Sequence, residues 1–90
     1  MKLITITGQT FDDFFKDIPS GLKRPLKNRL RVLQNHGREC IEAFVTPYND
    51  FYHFYVEDPT IPEYIEVHIS FIDMSNLIII IDVFTYKRNS

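Results

Sequence analysis

With 90 residues, 44% of them hydrophobic, the chain has room for one core of modest size and needs no covalent staple. Cys40 is its only cysteine, which excludes an internal disulfide and any cysteine-based metal cluster and fits a reducing compartment. The formal charge of −2 argues against polyanion binding by bulk charge.

That average conceals a segregation. Lys23, Arg24, Lys27, Arg29, Arg31 and Arg38 stand together in "KRPLKNRLRVLQNHGR" with no acid among them, and the rest of the chain is acidic. Such a stretch suits a phosphate-facing patch, a docking surface for an acidic partner, or an ordinary solvated helix face. The opening "MKLITITGQT" has no signal-peptide pattern, and the longest aliphatic run, "LIIII" at 77 to 81, is too short to span a bilayer. We therefore expect one domain over 1–90, in the cytoplasm and away from membranes.

In chain order, "KLITIT" alternates with β-branched residues and predicts a strand. Thr10 then precedes "FDDFF" as an N-cap, with Asp12 and Asp13 at the positive end of a short helix that Pro19 stops. Phe11, Phe14, Phe15 and Ile18 share a face of it, expected to be core. "SGLKRPLKNRLRVLQNHG" predicts the main helix, with Ser20 as cap, Leu22, Leu26, Leu30 and Leu33 as the apolar stripe, and Gly37 at the C-terminal left-handed position. Pro25 is expected in its first turn, or as the start of the helix proper.

After Gly37 the period changes to two. "CIEAFVT" is a strand ended by "PYND", "FYHFYVE" the next, "YIEVHISFI" a third, and "LIIIIDVFTY" the last, turned from its predecessor by "DMSN". In the third, Ile65, Val67, Ile69 and Phe71 point one way, and Tyr64, Glu66, His68 and Ser70 the other. The last is apolar on both sides until Asp82, which predicts a central strand covered on both faces. The class that follows is α+β: a small two-layer domain, β-α-α and then a mostly antiparallel meander, with the helices on one face of the sheet.

The other face collects polar chemistry. Phase counting puts His53 with Tyr55, Glu66 with His68, and Asp82 with Phe84 and Tyr86; whether the three sets meet depends on register, which the pattern leaves open. If they meet, a histidine, a carboxylate and a phenol lie near Lys87 and Arg88 and suit acid–base cleavage of a phosphodiester. A wet sheet face is the plainer alternative. His36, His53 and His68 show no metal-ligand spacing along the chain, so neither metal nor cofactor is expected.

The order of elements, ending in an aliphatic strand and a basic tail, resembles the RelE/ParE superfamily of toxins from bacterial toxin–antitoxin modules. The resemblance covers nearly the whole chain and is carried by "FYHFYV", "YIEVHISF" and above all "LIIIIDVFTYKRN". It implies metal-independent, ribosome-dependent cleavage of messenger RNA by attack of a ribose 2′-hydroxyl in the RelE and HigB branches, or gyrase inhibition in the ParE branch. The implied partners are a cognate antitoxin and, for a nuclease, the ribosome and its messenger.

Under that resemblance His53, Glu66, Tyr86, Lys87 and Arg88 are the catalytic set: His53 as acid or base, Tyr86 orienting the base or the phosphate, Lys87 and Arg88 stabilising charge. Lys23, Arg24, Lys27, Arg29 and Arg31 are the nucleic-acid-binding set. Two positions depart from the pattern, since Glu66 stands where an arginine is expected and Tyr55 where a basic residue is expected. The same fold without catalysis, binding an unidentified protein partner through Tyr48, Phe51, Tyr52 and Tyr64, is the alternative reading.

Overall fold

The computed structural model describes residues 2–5, 7–36, 46–48, 51–72 and 75–89. The opening alternation forms β1 (Lys2–Thr5), and Thr10 caps α1 (Phe11–Phe14), its Oγ1 accepting the Asp13 N–H at 3.2 Å. The helix is one turn long, yet its aromatic stripe does what the pattern predicts: Phe15 and Ile18 are buried, with Phe11 and Phe14 packed against them.

The main helix, α2 (Ser20–His36), buries Leu22, Leu26, Leu30 and Leu33. Ser20 is its first residue rather than its cap, so Pro25 lies in the second turn, beyond the first-turn position expected of it. Its ring removes the bond to the Gly21 carbonyl, a cost the leucine burial outweighs. At Gly21 a Cβ would come within 3.2 Å of the Ile61 side chain, so the start of α2 closely approaches the loop over residues 58–62.

The remaining strands are β2 (Thr46–Tyr48), β3 (Phe51–Glu57), β4 (Glu63–Ile72) and β5 (Leu77–Lys87). Gly37, Arg38, Cys40 and the expected strand over 40–45 lie outside the described residues, as do the side chains of Tyr48 and Phe51. Strand β2 includes Pro47 and Tyr48, which the sequence pattern assigned to a turn.

The five strands form one mixed sheet in the order β1-β5-β4-β3-β2, an α+β architecture. Strands β2 to β5 make an antiparallel meander, and β1 joins β5 in parallel. Phe54, Val56, Ile65, Val67, Ile69, Ile78 and Ile80 face the helices and complete the core. Arg29 of α2 sets its guanidinium 5.9 Å from the centroid of the Phe54 ring, so the helix crosses β3 on this side.

Strand β5 departs from simple alternation. His68 pairs with Asp82, but Ile69 pairs with Ile80, and the ladder passes over Ile81 in a β-bulge. The extra residue switches phase: Ile78 and Ile80 point to the helices before it, and Asp82, Phe84 and Tyr86 point away after it. The continuous "LIIII" is thus explained without cover on both faces. Leu77 and Ile79 lie on the side away from the helices, where no described element covers the sheet. Among the described residues no helix is long and apolar enough to cross a membrane.

Candidate functional site

The register left open by the pattern is settled by the ladders. His53 pairs with His68 and Tyr55 with Glu66 across β3 and β4; His68 pairs with Asp82, Glu66 with Phe84 and Tyr64 with Tyr86 across β4 and β5. Paired residues share a face, so all three polar sets meet on the side of the sheet away from the helices.

Glu66 is the hub. Its Oε2 lies 2.7 Å from His53 Nδ1 and 2.8 Å from His68 Nε2, and its Oε1 accepts the Tyr86 hydroxyl at 2.9 Å. The side chains of His53, Glu66 and His68 are 15%, 12% and 12% exposed, so the cluster is sunk into the sheet surface while remaining open to solvent. The hydrogen bond from His53, helped by those from His68 and Tyr86, outweighs burial and holds the Glu66 carboxyl down at about 2.

Glu66 is therefore an ionised acceptor at neutral pH, and both imidazoles must donate to it. When either ring is neutral, that donation fixes its tautomer and places the lone pair on the other nitrogen, His53 Nε2 or His68 Nδ1. The same carboxylate pushes the Tyr86 phenol above its ordinary value, chiefly through their hydrogen bond.

Aromatic rings surround the hub. Tyr64 and Tyr86 stack with centroids 5.3 Å apart, Tyr55 meets His53 edge-on at 5.5 Å, and Phe84 meets His68 at 5.0 Å. Tyr55, Phe84 and Tyr86 are 50%, 40% and 41% exposed, and with Ile72 they are the exposed large hydrophobics among the described residues; all four lie on this face.

Of the five expected catalytic residues, the structure brings together His53, Glu66 and Tyr86. Lys87 follows Tyr86 on the strand and by alternation lies on the opposite face, paired with Glu63. Arg88 is a loop clamp: its Nη2 donates to the carbonyls of Asp58 at 2.9 Å and Ile61 at 3.0 Å, and its backbone N–H donates to that of Pro62 at 2.8 Å. The structure thus does not bring Lys87 and Arg88 to the cluster: strand alternation turns one away and loop carbonyls engage the other.

His68 belongs to the site although the catalytic set expected from sequence omitted it. Its signal was the E-x-H spacing of Glu66 and His68, which puts both on one face of one strand. The expectation of no metal-ligand arrangement also changes, since donor atoms of His53, Glu66 and His68 lie within 4.8 Å of one another. Spacing along the chain did not show this because the third ligand comes from a neighbouring strand.

The basic helix is elsewhere. Lys23, Arg24, Lys27, Arg29 and Arg31 all belong to α2, on the far side of the sheet from Glu66. Lys27 and Arg31 border a cleft of about 450 Å³, lined by Leu3, Phe11, Phe15 and Leu30. The expected docking and catalytic sets therefore occupy opposite faces. No family model, no curated protein and no solved structure matches the chain.

Proposed function

We propose that the chain is the toxin of a bacterial toxin–antitoxin module, a metal-independent endoribonuclease that cuts messenger RNA on the ribosome in the cytoplasm. The observation that carries this reading is the pair of imidazoles held by one carboxylate on an open face between exposed aromatic rings. Phosphodiester cleavage by an internal nucleophile needs a base on one side and an acid on the other.

One imidazole, neutral, takes the proton of a ribose 2′-hydroxyl. The 2′-oxygen bonds to phosphorus and the P–O5′ bond breaks. The other imidazole, protonated, gives its proton to the departing 5′-oxygen, leaving a 2′,3′-cyclic phosphate and a 5′-hydroxyl. Glu66 orients both rings and stabilises the protonated one, Tyr86 fixes the free end of that carboxylate, and Tyr55 and Phe84 offer stacking surfaces for neighbouring bases. The basic face of α2 serves ribosomal RNA while the sheet face takes the messenger. The resemblance to the RelE and HigB branches supports the same chemistry, and a cognate antitoxin is the expected protein partner.

Inducible expression in a bacterium, with messenger ends mapped by primer extension, tests the reading. Growth arrest with codon-phased cuts, lost in His53→Ala and in His68→Ala while the fold is kept, is the expected result.

A second reading rests on a separate observation: the exposed Tyr55, Ile72, Phe84 and Tyr86 gather on one face, and Glu66 stands where the resemblance expects an arginine. In that reading the chain is a catalytically inactive protein-binding module. Normal growth, intact messengers and a stable complex with a protein seated on this face would favour it.

A further inference from the structure

His53 Nδ1 and His68 Nε2 both point at one oxygen of Glu66. Three donor atoms that converge on a point, two of them imidazole nitrogens and one a carboxylate oxygen, form the N2O ligand set of open zinc sites. Here they come from two adjacent strands: Glu66 and His68 two residues apart on β4, and His53 directly opposite His68 on β3. The strands set these positions, so little chain entropy remains to be lost on binding.

Tetrahedral ligation at about 2.0–2.2 Å spaces neighbouring donor atoms by roughly 3.3 Å. The present separations of 2.7 and 2.8 Å are about half an ångström shorter, a gap that small χ rotations open. The carboxylate is also supported from behind. Tyr86 donates to Oε1, the oxygen the histidines do not use, and so leaves Oε2 directed at them. Outer partners of this kind orient ligands in metal sites and strengthen their hold. A cation would replace the two N–H hydrogens between the rings and Oε2, and the solvent-open side of the cluster leaves a coordination position for water.

We propose that His53, Glu66 and His68 are the ligands of a divalent transition-metal site, of the class that takes Zn²⁺, with Tyr86 as the positioning residue of its carboxylate. Occupancy draws the lone pair of each ligating nitrogen and leaves its proton on the other, so a loaded site and the acid–base use of the same rings exclude each other. Binding does not depend on the cleavage reading and is measured without RNA, which keeps the two separable.

Chelator-treated protein titrated with ZnCl₂ at pH 7.5 by calorimetry should bind one equivalent per chain. Long-range ¹H–¹⁵N spectra of the wild-type imidazoles should show His53 and His68 responding and His36, exposed at the end of α2, unchanged. Co²⁺ in place of Zn²⁺ should give the visible absorption of a tetrahedral centre. His53→Ala and His68→Ala should abolish binding, and Tyr86→Phe should weaken it about 10- to 100-fold. No uptake at millimolar ZnCl₂, or a response confined to His36, would overturn the proposal. The spectra use the unmodified chain, so misfolding of a variant cannot obscure the answer.

Discussion

His53 and His68 stand directly opposite each other on β3 and β4 and share one carboxylate oxygen of Glu66. Three hydrogen-bond donors, counting Tyr86, thus converge on a single acidic group, and the first consequence is a pH dependence.

Glu66 is held at about 2 against an ordinary 4.5, chiefly by His53. A folded-state value below the unfolded one gives stability that is complete above about 4.5 and is lost as the pH falls through about 2. Melting temperatures of the wild type and Glu66→Gln, compared in metal-free buffer, should differ most above pH 4.5 and converge toward pH 2. A gap that stays constant across this window would show that the carboxylate is not held by its donors.

Tyr86 reports on the same charge from the other side. Its phenol is raised by Glu66, first through their hydrogen bond, so it should be among the last tyrosines to ionise in an ultraviolet titration. In Glu66→Gln one tyrosine should titrate at a lower pH than in the wild type, and in Tyr86→Phe the late transition should disappear. Identical curves for wild type and Glu66→Gln would contradict the hydrogen bond.

Arg88 should behave as a structural residue. Its two bonds to loop carbonyls are to a charged donor but solvent-exposed, so Arg88→Ala should cost about 1 kcal/mol in denaturant unfolding. Because a lysine ammonium cannot reproduce the planar fork, Arg88→Lys should recover little of that loss. Faster proteolytic nicking within residues 58–62 is the local sign to measure.

The basic face of α2 predicts a salt signature. Lys27 and Arg31 are exposed beside one cleft, and each phosphate contact adds roughly 0.7 to 0.9 to the slope of log affinity against log salt. The double variant Lys27→Glu/Arg31→Glu should reduce the slope for a single-stranded RNA by at least about 1.4. The hydrogen bonds of Glu66, across the sheet, should be unchanged in the histidine spectra. An unaltered slope would place RNA contact elsewhere.

Much of this fold could be read from side-chain periodicity. The leucine stripe of α2, the alternation of β3 and β4, and the burial of Phe54 and Val56 beneath His53 all follow from single-strand or single-helix patterns, which require no knowledge of neighbours. The site was legible only in fragments, because what makes it a site is the pairing of His53 with His68 and of Glu66 with Phe84. Register depends on how whole strands settle against one core, and residues 15 or 18 apart carry no local mark of it. The placement of Arg88 was illegible for the converse reason: a basic tail has the same appearance whether its guanidinium awaits a phosphate or bonds the loop carbonyls of Asp58 and Ile61.

The bulge at Ile81 acts on side chains as an inserted nucleotide acts on codons: everything downstream is read in another frame. Deleting Ile81 would restore plain alternation and leave Asp82, Phe84 and Tyr86 on the face opposite Ile78 and Ile80, because Asp82 would then follow Ile80 directly. Pairing Ile81 in the ladder instead would bring Asp82, Phe84 and Tyr86 into phase with Ile78 and Ile80, so that a carboxylate and a phenol entered the apolar layer while Val83 and Thr85 took their places beside Glu66. The place left for one residue that meets nothing across the ladder thereby governs both the identity of the core and the composition of the cluster: forcing Ile81 into register should cost both together, and deleting it should spare both.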